Sequence, residues 1–267
     1  MIGTNVLLER SHIPKTIVFP VESFALKKRL PTMYDLPSED PKEPGLPDDF
    51  HYHQPQLLRE TFRPPNYSPT EFYVASDLNL YYDPQHTKWY KRPDWFAVIG
   101  VPSSYGELHD MRYSYVVWDE GVVPFVVVEL LSESTKDDDL GRTLHDVKQP
   151  PPKWEVYEQI LKIPYYVVFS RTSGEWQVFQ LQNKRYQQLD IKDERFWFPK
   201  IQLGLGLWSG TYNNFDHLWL RWYDKNGWIL TRQDSIEQGK QKIKEEKQRA
   251  DSAEAVKALI AKKGLSV

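Results

Sequence analysis

Residues 122–130, VVPFVVVEL, constrain this chain more than any other stretch. A run that is apolar at nearly every position and rich in valine has no polar face to turn toward water. It reads as a central strand buried on both sides, with a covering layer above and below. Pro124 falls near its beginning, where a missing N–H donor is tolerable. Glu129 is then an anomaly, a carboxylate in an apolar setting followed by Leu130 and Leu131. Burying an unpaired carboxylate is costly, so Glu129 must meet a cation, a hydrogen-bond network or a metal.

The segments around this run share its character. FYVASDLNLYYD (72–83), WFAVIGV (95–101) and YSYVVW (113–118) read as strands before it, and DEG at 119–121 predicts a hairpin turn into it. After a polar connection at 132–152, the spacing predicts a helix over 153–162. PYYVVF, GEWQVFQL and RYQQLDI then read as three more strands, with turns at 170–174 and 182–184. LGLGLW and LWLRWYD complete the pattern. Gly204 and Gly206 do not match a phosphate-binding GxGxxG and receive no cofactor role. QPQLLRETF (54–62) predicts a helix with Pro55 in its first turn, ended by Pro64 and Pro65. A mixed central sheet flanked by helices follows, of the α/β or α+β class.

Both ends differ from this core. Pro31, Pro37, Pro41, Pro44 and Pro47 rule out a continuing helix or central strand and predict an extended N-terminal arm. TIVFPV and FALKKRL within it read as an edge strand or a brief helical turn. Residues 240–263 carry eight Lys or Arg and four Asp or Glu, a local charge of +4, and predict a mostly exposed basic helix with heptads too few for a coiled coil. The expected division is an arm over 1–49, a core domain over 50–232 and a helical tail over 233–267.

Composition removes several chemistries. With no cysteine among 267 residues, disulfides, thiolate zinc sites and cysteine nucleophiles are excluded. The seven histidines form no HExxH. No apolar run approaches membrane-spanning length and no signal-peptide pattern opens the sequence, which points to a cytoplasmic protein. A net charge of -3 argues against tight, nonspecific nucleic-acid binding as the main task, though local basic groups and a metal can still neutralise phosphates.

The remaining polar residues at element ends form a chemically meaningful set. Asp94 opens one apolar strand, Glu129 nearly closes another, and Lys153 begins a helix. Two carboxylates, with the Leu130 carbonyl as a third donor, suit a hard divalent cation that keeps several waters. Such an ion acidifies a bound water and offsets charge on a phosphate. Lys153 has the reach to orient that water or to stabilise developing negative charge. Taken singly, Asp94 is equally a turn cap or a partner of Lys91 or Arg92, and Lys153 equally a solvated helix residue. Lys88, Lys91 and Arg92, interleaved with Trp89 and Tyr90, form either a substrate wall or an ordinary hairpin end. Asp137, Asp138 and Asp139 lack the pattern of a calcium loop and read as a solvated loop or helix cap.

RPDWFAVIGV, VVVELLSESTKDDDLG and KWEVYEQILKIPYYVVF, together with HQPQLLRETF and DLNLYYD, resemble the Uma2 (DUF820) family of the PD-(D/E)XK nuclease superfamily, a family abundant in cyanobacteria. The resemblance implies a restriction-endonuclease-like core and restriction-type endonuclease activity. It also implies that Asp94 matches the Asp of the PD motif and Glu129 the acid of (D/E)XK. The lysine expected two residues after Glu129 is replaced by Leu131. Lys153 matches a displaced lysine because Tyr157 follows four residues on, with Lys148 as a rival. Glu60 is the candidate for an added glutamate from the first core helix, against a surface ion pair with Arg59 or Arg63. The reading that results is a Mg²⁺- or Mn²⁺-dependent endonuclease acting on DNA, with RNA not excluded, as a homodimer. The competing reading is an interaction protein that keeps the fold with weak or lost catalysis.

Overall fold

The computed structural model describes residues 45–107, 109–132, 136–142 and 149–262. Residues 1–44 of the expected arm, including its expected strand and helical turn, lie outside the described residues, as does Lys148. In chain order the helices are α1 (Asp49–Thr61), α2 (Val117–Glu120), α3 (Lys136–Asp139), α4 (Lys153–Glu155), which continues into a π-helical turn (Val156–Ile160), and α5 (Arg232–Lys262). The strands are β1 (Phe72–Ala75), β2 (Leu80–Tyr81), β3 (Tyr90–Lys91), β4 (Trp95–Ile99), β5 (Tyr115–Val116), β6 (Val126–Leu130), β7 (Tyr165–Phe169), β8 (Trp176–Gln182), β9 (Arg185–Gln188), β10 (Arg195–Phe198), β11 (Leu203–Tyr212), β12 (Phe215–Asp224) and β13 (Gly227–Trp228).

The central sheet has six strands in the order β1-β4-β6-β7-β8-β9. The β6–β7 pair is parallel and its other pairs are antiparallel. All five residues of β6 are buried, as the valine run predicts. Side chains alternate across the sheet, and the alternation sorts the core into two. Val126, Val128 and Leu130 of β6, Trp95 and Ala97 of β4 and Val167 of β7 join a first core with Leu57, Leu58 and Phe62 of α1 and Leu205, Leu220 and Trp222 of β11–β12. Val127, Phe96, Val98, Tyr166 and Val168 face a second core with Val156, Tyr157 and Leu161 of the helix before β7 and Leu80 and Tyr115 of the small sheet β3-β2-β5. This is the expected helix-flanked mixed sheet, a mixed α+β architecture of the restriction-endonuclease-like class with a C-terminal helix. Among the described residues no helix is long and apolar enough to cross a membrane.

Several elements depart from expectation. Helix α1 begins five residues earlier than the Gln54–Pro55 signal implies, because Asp48 caps it by accepting from the His51 N–H. Pro55 therefore lies inside the helix. Residues 119–121 are not a hairpin turn. Val117–Glu120 make one helical turn, closed by Gly121 at φ 71°, and β5 pairs in parallel with β2 instead of feeding into β6. Residues 72–83 break into two strands at Asp77, whose φ is 49°. Strands β10 and β13 had no sequence signal strong enough to place them, and β11 and β12 extend to ten residues each as one long hairpin. The described part of α5 is exposed along most of its length, as its composition predicts.

Candidate active site

Strand register brings the two predicted carboxylates together. The antiparallel ladder between β4 and β6 pairs Trp95 with Val128. One step further along that register, Asp94 stands opposite Glu129. Both occupy the second-core side of the sheet, since each lies one residue from a side chain that faces the first core. The ladder ends here, and the Asp94 side chain replaces it: Leu130 N donates to Asp94 Oδ2 at 2.6 Å, while Asp94 N donates to Glu129 Oε2 at 3.3 Å.

Glu129 is completely buried, and two residues of the next helix reach it. Lys153 Nζ donates to Glu129 Oε2 at 3.0 Å, and the Tyr157 hydroxyl donates to Oε1 at 2.8 Å. Positions four apart share a helix face, so this pair meets a single carboxylate from one side. Lys153 also contacts Asp139 Oδ1 at 2.9 Å, and that side chain too is fully buried. The predicted residues Asp94, Glu129 and Lys153 thus lie in one cluster, with Leu131, partly buried in the second core, at the position of the absent lysine.

Asp139 corrects the expectation of a solvated Asp run. Asp137 is exposed, but Asp139 is turned inward because Gly141, at φ 69°, folds the chain directly onto the Trp154 ring. A Cβ at position 141 would stand 2.8 Å from Trp154 Cγ. The Asp139 carbonyl also accepts from the Tyr166 hydroxyl at 2.9 Å. Glycine after a short acidic stretch is the only sequence trace of this turn.

The electrostatics follow from burial. Removal from water pushes the Glu129 carboxyl well above the usual carboxylate range, with Asp139 and Asp94 adding to the shift and Lys153 opposing it. Burial alone would lower Lys153, but the carboxylates of Glu129, Asp139 and Asp94 outweigh it, and the ammonium is held well above its ordinary range. Among the described residues three carboxyl groups lie around one ammonium, and a cation bound beside them would favour their charged forms. Lys91, half-buried on β3, lies in the field of Asp138, Glu129 and Asp139; burial lowers its ammonium despite them.

The other predicted residues sort unequally. Glu60 does not join the cluster: its carboxylate accepts from Tyr212 at 3.1 Å. It lies nine residues from His51, on the opposite face of α1. His51, which the sequence reading missed, is the residue of α1 that reaches β6. Its Nε2 lies 3.2 Å from the Leu130 carbonyl and its Nδ1 2.8 Å from Asp48 Oδ1. Both partners are acceptors, an arrangement that favours the doubly protonated ring. Burial opposes this form, but Asp48 and the nearby Asp94 raise the imidazole above its ordinary range. The spacing of seven from Leu58 was the available signal that His51 shares the buried stripe. Of the proposed wall, Trp89 stacks on His86 at 3.9 Å, Tyr90 packs on Tyr81, Arg92 is tied to Asn79 at 3.0 Å, and Lys91 lies in the field of the cluster.

Whether these residues suit a divalent ion is decided by donor chemistry. Among the described residues no three His, Asp or Glu side chains converge to hold an ion by themselves. Asp94 and Glu129, side by side across the β4–β6 register, nevertheless offer an all-oxygen set, and Asp94 is only partly buried. Mg²⁺ commonly takes one or two carboxylates and retains several waters, which this pair fits.

Comparison with known proteins gives the chain a family. A family model described as "Putative restriction endonuclease", Uma2, matches residues 28–211. A crystal structure of "a putative nuclease belonging to DUF820" from Anabaena variabilis is similar at 11% identity with a TM-score of 0.30, over 49% of this chain and 62% of that one. No curated protein matches the sequence. The family match spans well over half of the chain, and the chain belongs to the Uma2 family.

Proposed function

We propose that this protein is a metal-dependent endonuclease that hydrolyses DNA phosphodiester bonds at the Asp94–Glu129–Lys153 cluster. The observation that carries the reading is the Lys153 ammonium fixed between Glu129 and Asp139, beside the half-exposed Asp94. Asp94 and Glu129 hold Mg²⁺ or Mn²⁺, and a bound ion supplies an acidified water and offsets phosphate charge. Lys153, with no freedom to swing away, presents its charge at the Asp94 edge, where it stabilises negative charge building on the phosphate. Asp139 keeps that ammonium protonated and aimed. Lys91 approaches the same cluster from β3 and contacts a phosphate of the substrate backbone. Cutting both strands calls for two such sites related by symmetry, so the reading extends to a homodimer in the cytoplasm.

The alternative, an interaction protein with lost catalysis, draws on one observation: both oxygens of Glu129 already have partners within the chain. Cleavage of duplex, single-stranded and supercoiled DNA with Mg²⁺ or Mn²⁺ separates the two. The proposal expects metal-dependent cleavage that Asp94→Ala, Glu129→Ala and Lys153→Ala each abolish. No cleavage of any substrate favours the alternative, and cleavage retained in all three variants refutes the assigned site.

A further inference from the structure

We infer that Tyr157 is a positioning residue for Glu129, fixing the orientation of the carboxylate that the proposed function assigns to the metal. The inference rests on that assignment. Among the described residues of the second core, four buried tyrosines donate a hydrogen bond through the hydroxyl, and they divide by what it reaches. Tyr115, Tyr166 and Tyr186 donate to the main-chain carbonyls of Val122, Asp139 and Ile163. Tyr157 instead donates to a side-chain carboxylate, Glu129 Oε1, and both partners are completely buried.

The backbone around Tyr157 is built to hold it there. Lys153 opens α4, and the chain passes at Val156 into a π-helical turn that contains Tyr157. Leu161 N accordingly donates to the Val156 carbonyl, five residues back. Such turns are rare and recur at functional sites. The turn is pinned on its far side by Glu158, which accepts from Tyr186 N at 2.7 Å and pairs with Arg185 at 3.0 Å. The Tyr157 ring packs against Tyr166 at a centroid distance of 5.5 Å. The hydroxyl therefore has one place to go. By occupying Oε1, it leaves Oε2 to the Lys153 ammonium and the Asp94 main-chain N–H. Partners of this kind fix a ligand's orientation and are worth about 10- to 100-fold in metal affinity.

The test is calorimetric titration of the full-length protein with Mn²⁺, comparing wild type, Tyr157→Phe and Tyr186→Phe. Tyr186→Phe removes a buried hydroxyl from the same core without touching Glu129. The inference predicts binding weakened about 10-fold or more in Tyr157→Phe and unchanged in Tyr186→Phe. Equal affinity in wild type and Tyr157→Phe overturns it, as does an equal loss in Tyr186→Phe. Tyr157→Met, which keeps bulk without the hydroxyl, must show the same loss. If neither Tyr157 variant folds, the residue serves the fold and the inference fails. Absence of Mn²⁺ binding in the wild type sinks the metal assignment itself, an outcome distinct from the failure of Tyr157 alone.

Discussion

The two sides of β6 are built from adjacent residues of one strand, yet they follow opposite rules. Val126, Val128 and Leu130 face a core of aliphatic and aromatic side chains in which Phe62, Trp95, Phe198 and Trp222 pack at centroid distances of 5.0 to 5.8 Å. On that side Gln54 exchanges two hydrogen bonds with Leu220, and Thr61 donates to Leu57, while the buried indole N–H groups of Trp95 and Trp222 find no acceptor among the described residues. One residue along, Glu129 faces the other way and gathers Lys153, Tyr157 and, through Lys153, Asp139. Charge is costly to bury, and replacing such a cluster by apolar residues often stabilises a protein. The first side thus accounts for the stability of the fold, while the second keeps its charge for another reason, which the proposed chemistry supplies.

Substitutions on the two sides should separate these roles. The largest effect is expected from Glu129→Gln, which keeps shape while removing charge. DNA cleavage should fall by about a thousandfold, as for other losses of preorganised charge. The folded structure, followed by circular dichroism, should survive. Trp222→Ala, on the opposite side, should reverse the pattern. Urea unfolding should register a loss of about 3–5 kcal/mol for a buried tryptophan, with cleavage per folded molecule unchanged. Gly141→Ala sits between them. A positive φ and the Trp154 contact both resist a methyl group, so a destabilisation of about 1–2 kcal/mol should accompany reduced cleavage as Asp139 shifts. Normal activity in Gly141→Ala would detach Asp139 from the site.

A smaller effect belongs to pH. Burial opposes ionisation of Asp48, but hydrogen bonds from His51 and the charge of Arg171 bring its carboxyl down to about 2 from 3.8. A depressed carboxylate contributes stability above its unfolded value, and that contribution disappears as pH falls from 3.8 toward 2. With Asp48 37% exposed, solvent screening limits the contribution to about 1 kcal/mol or less. Asp48→Asn should flatten that part of the acid-unfolding curve. The smallest effect is expected at Glu60, on the far face of α1, where Glu60→Gln should leave cleavage unaltered.

Much of this arrangement was legible in the sequence because it depends on local pattern. The valine run identified β6, the carboxylate set within it singled out Glu129, and spacing marked a helix beginning at Lys153. What escaped depends on contacts distant in sequence. Asp139 resembles its solvated neighbour Asp137 until Gly141 meets Trp154. His51 is ordinary until α1 is laid across Leu130. The parallel pairing of β5 with β2 overrode a turn signal at 119–121 that by itself favoured a hairpin. Tyr157 was visible only as a spacing, and its hydroxyl acquired a role once Glu129 was found beneath it.

Asp94→Asn tests the central claim most directly, because an amide oxygen can still accept from the Leu130 N–H while the carboxylate charge is lost. The measurement is the rate of supercoiled DNA cleavage with Mg²⁺, alongside thermal unfolding. The account predicts metal-dependent cleavage by the wild type, a fall of about a hundredfold or more in Asp94→Asn, and a nearly unchanged unfolding temperature. Equal rates in the two proteins, or cleavage that persists in excess chelator, would contradict it.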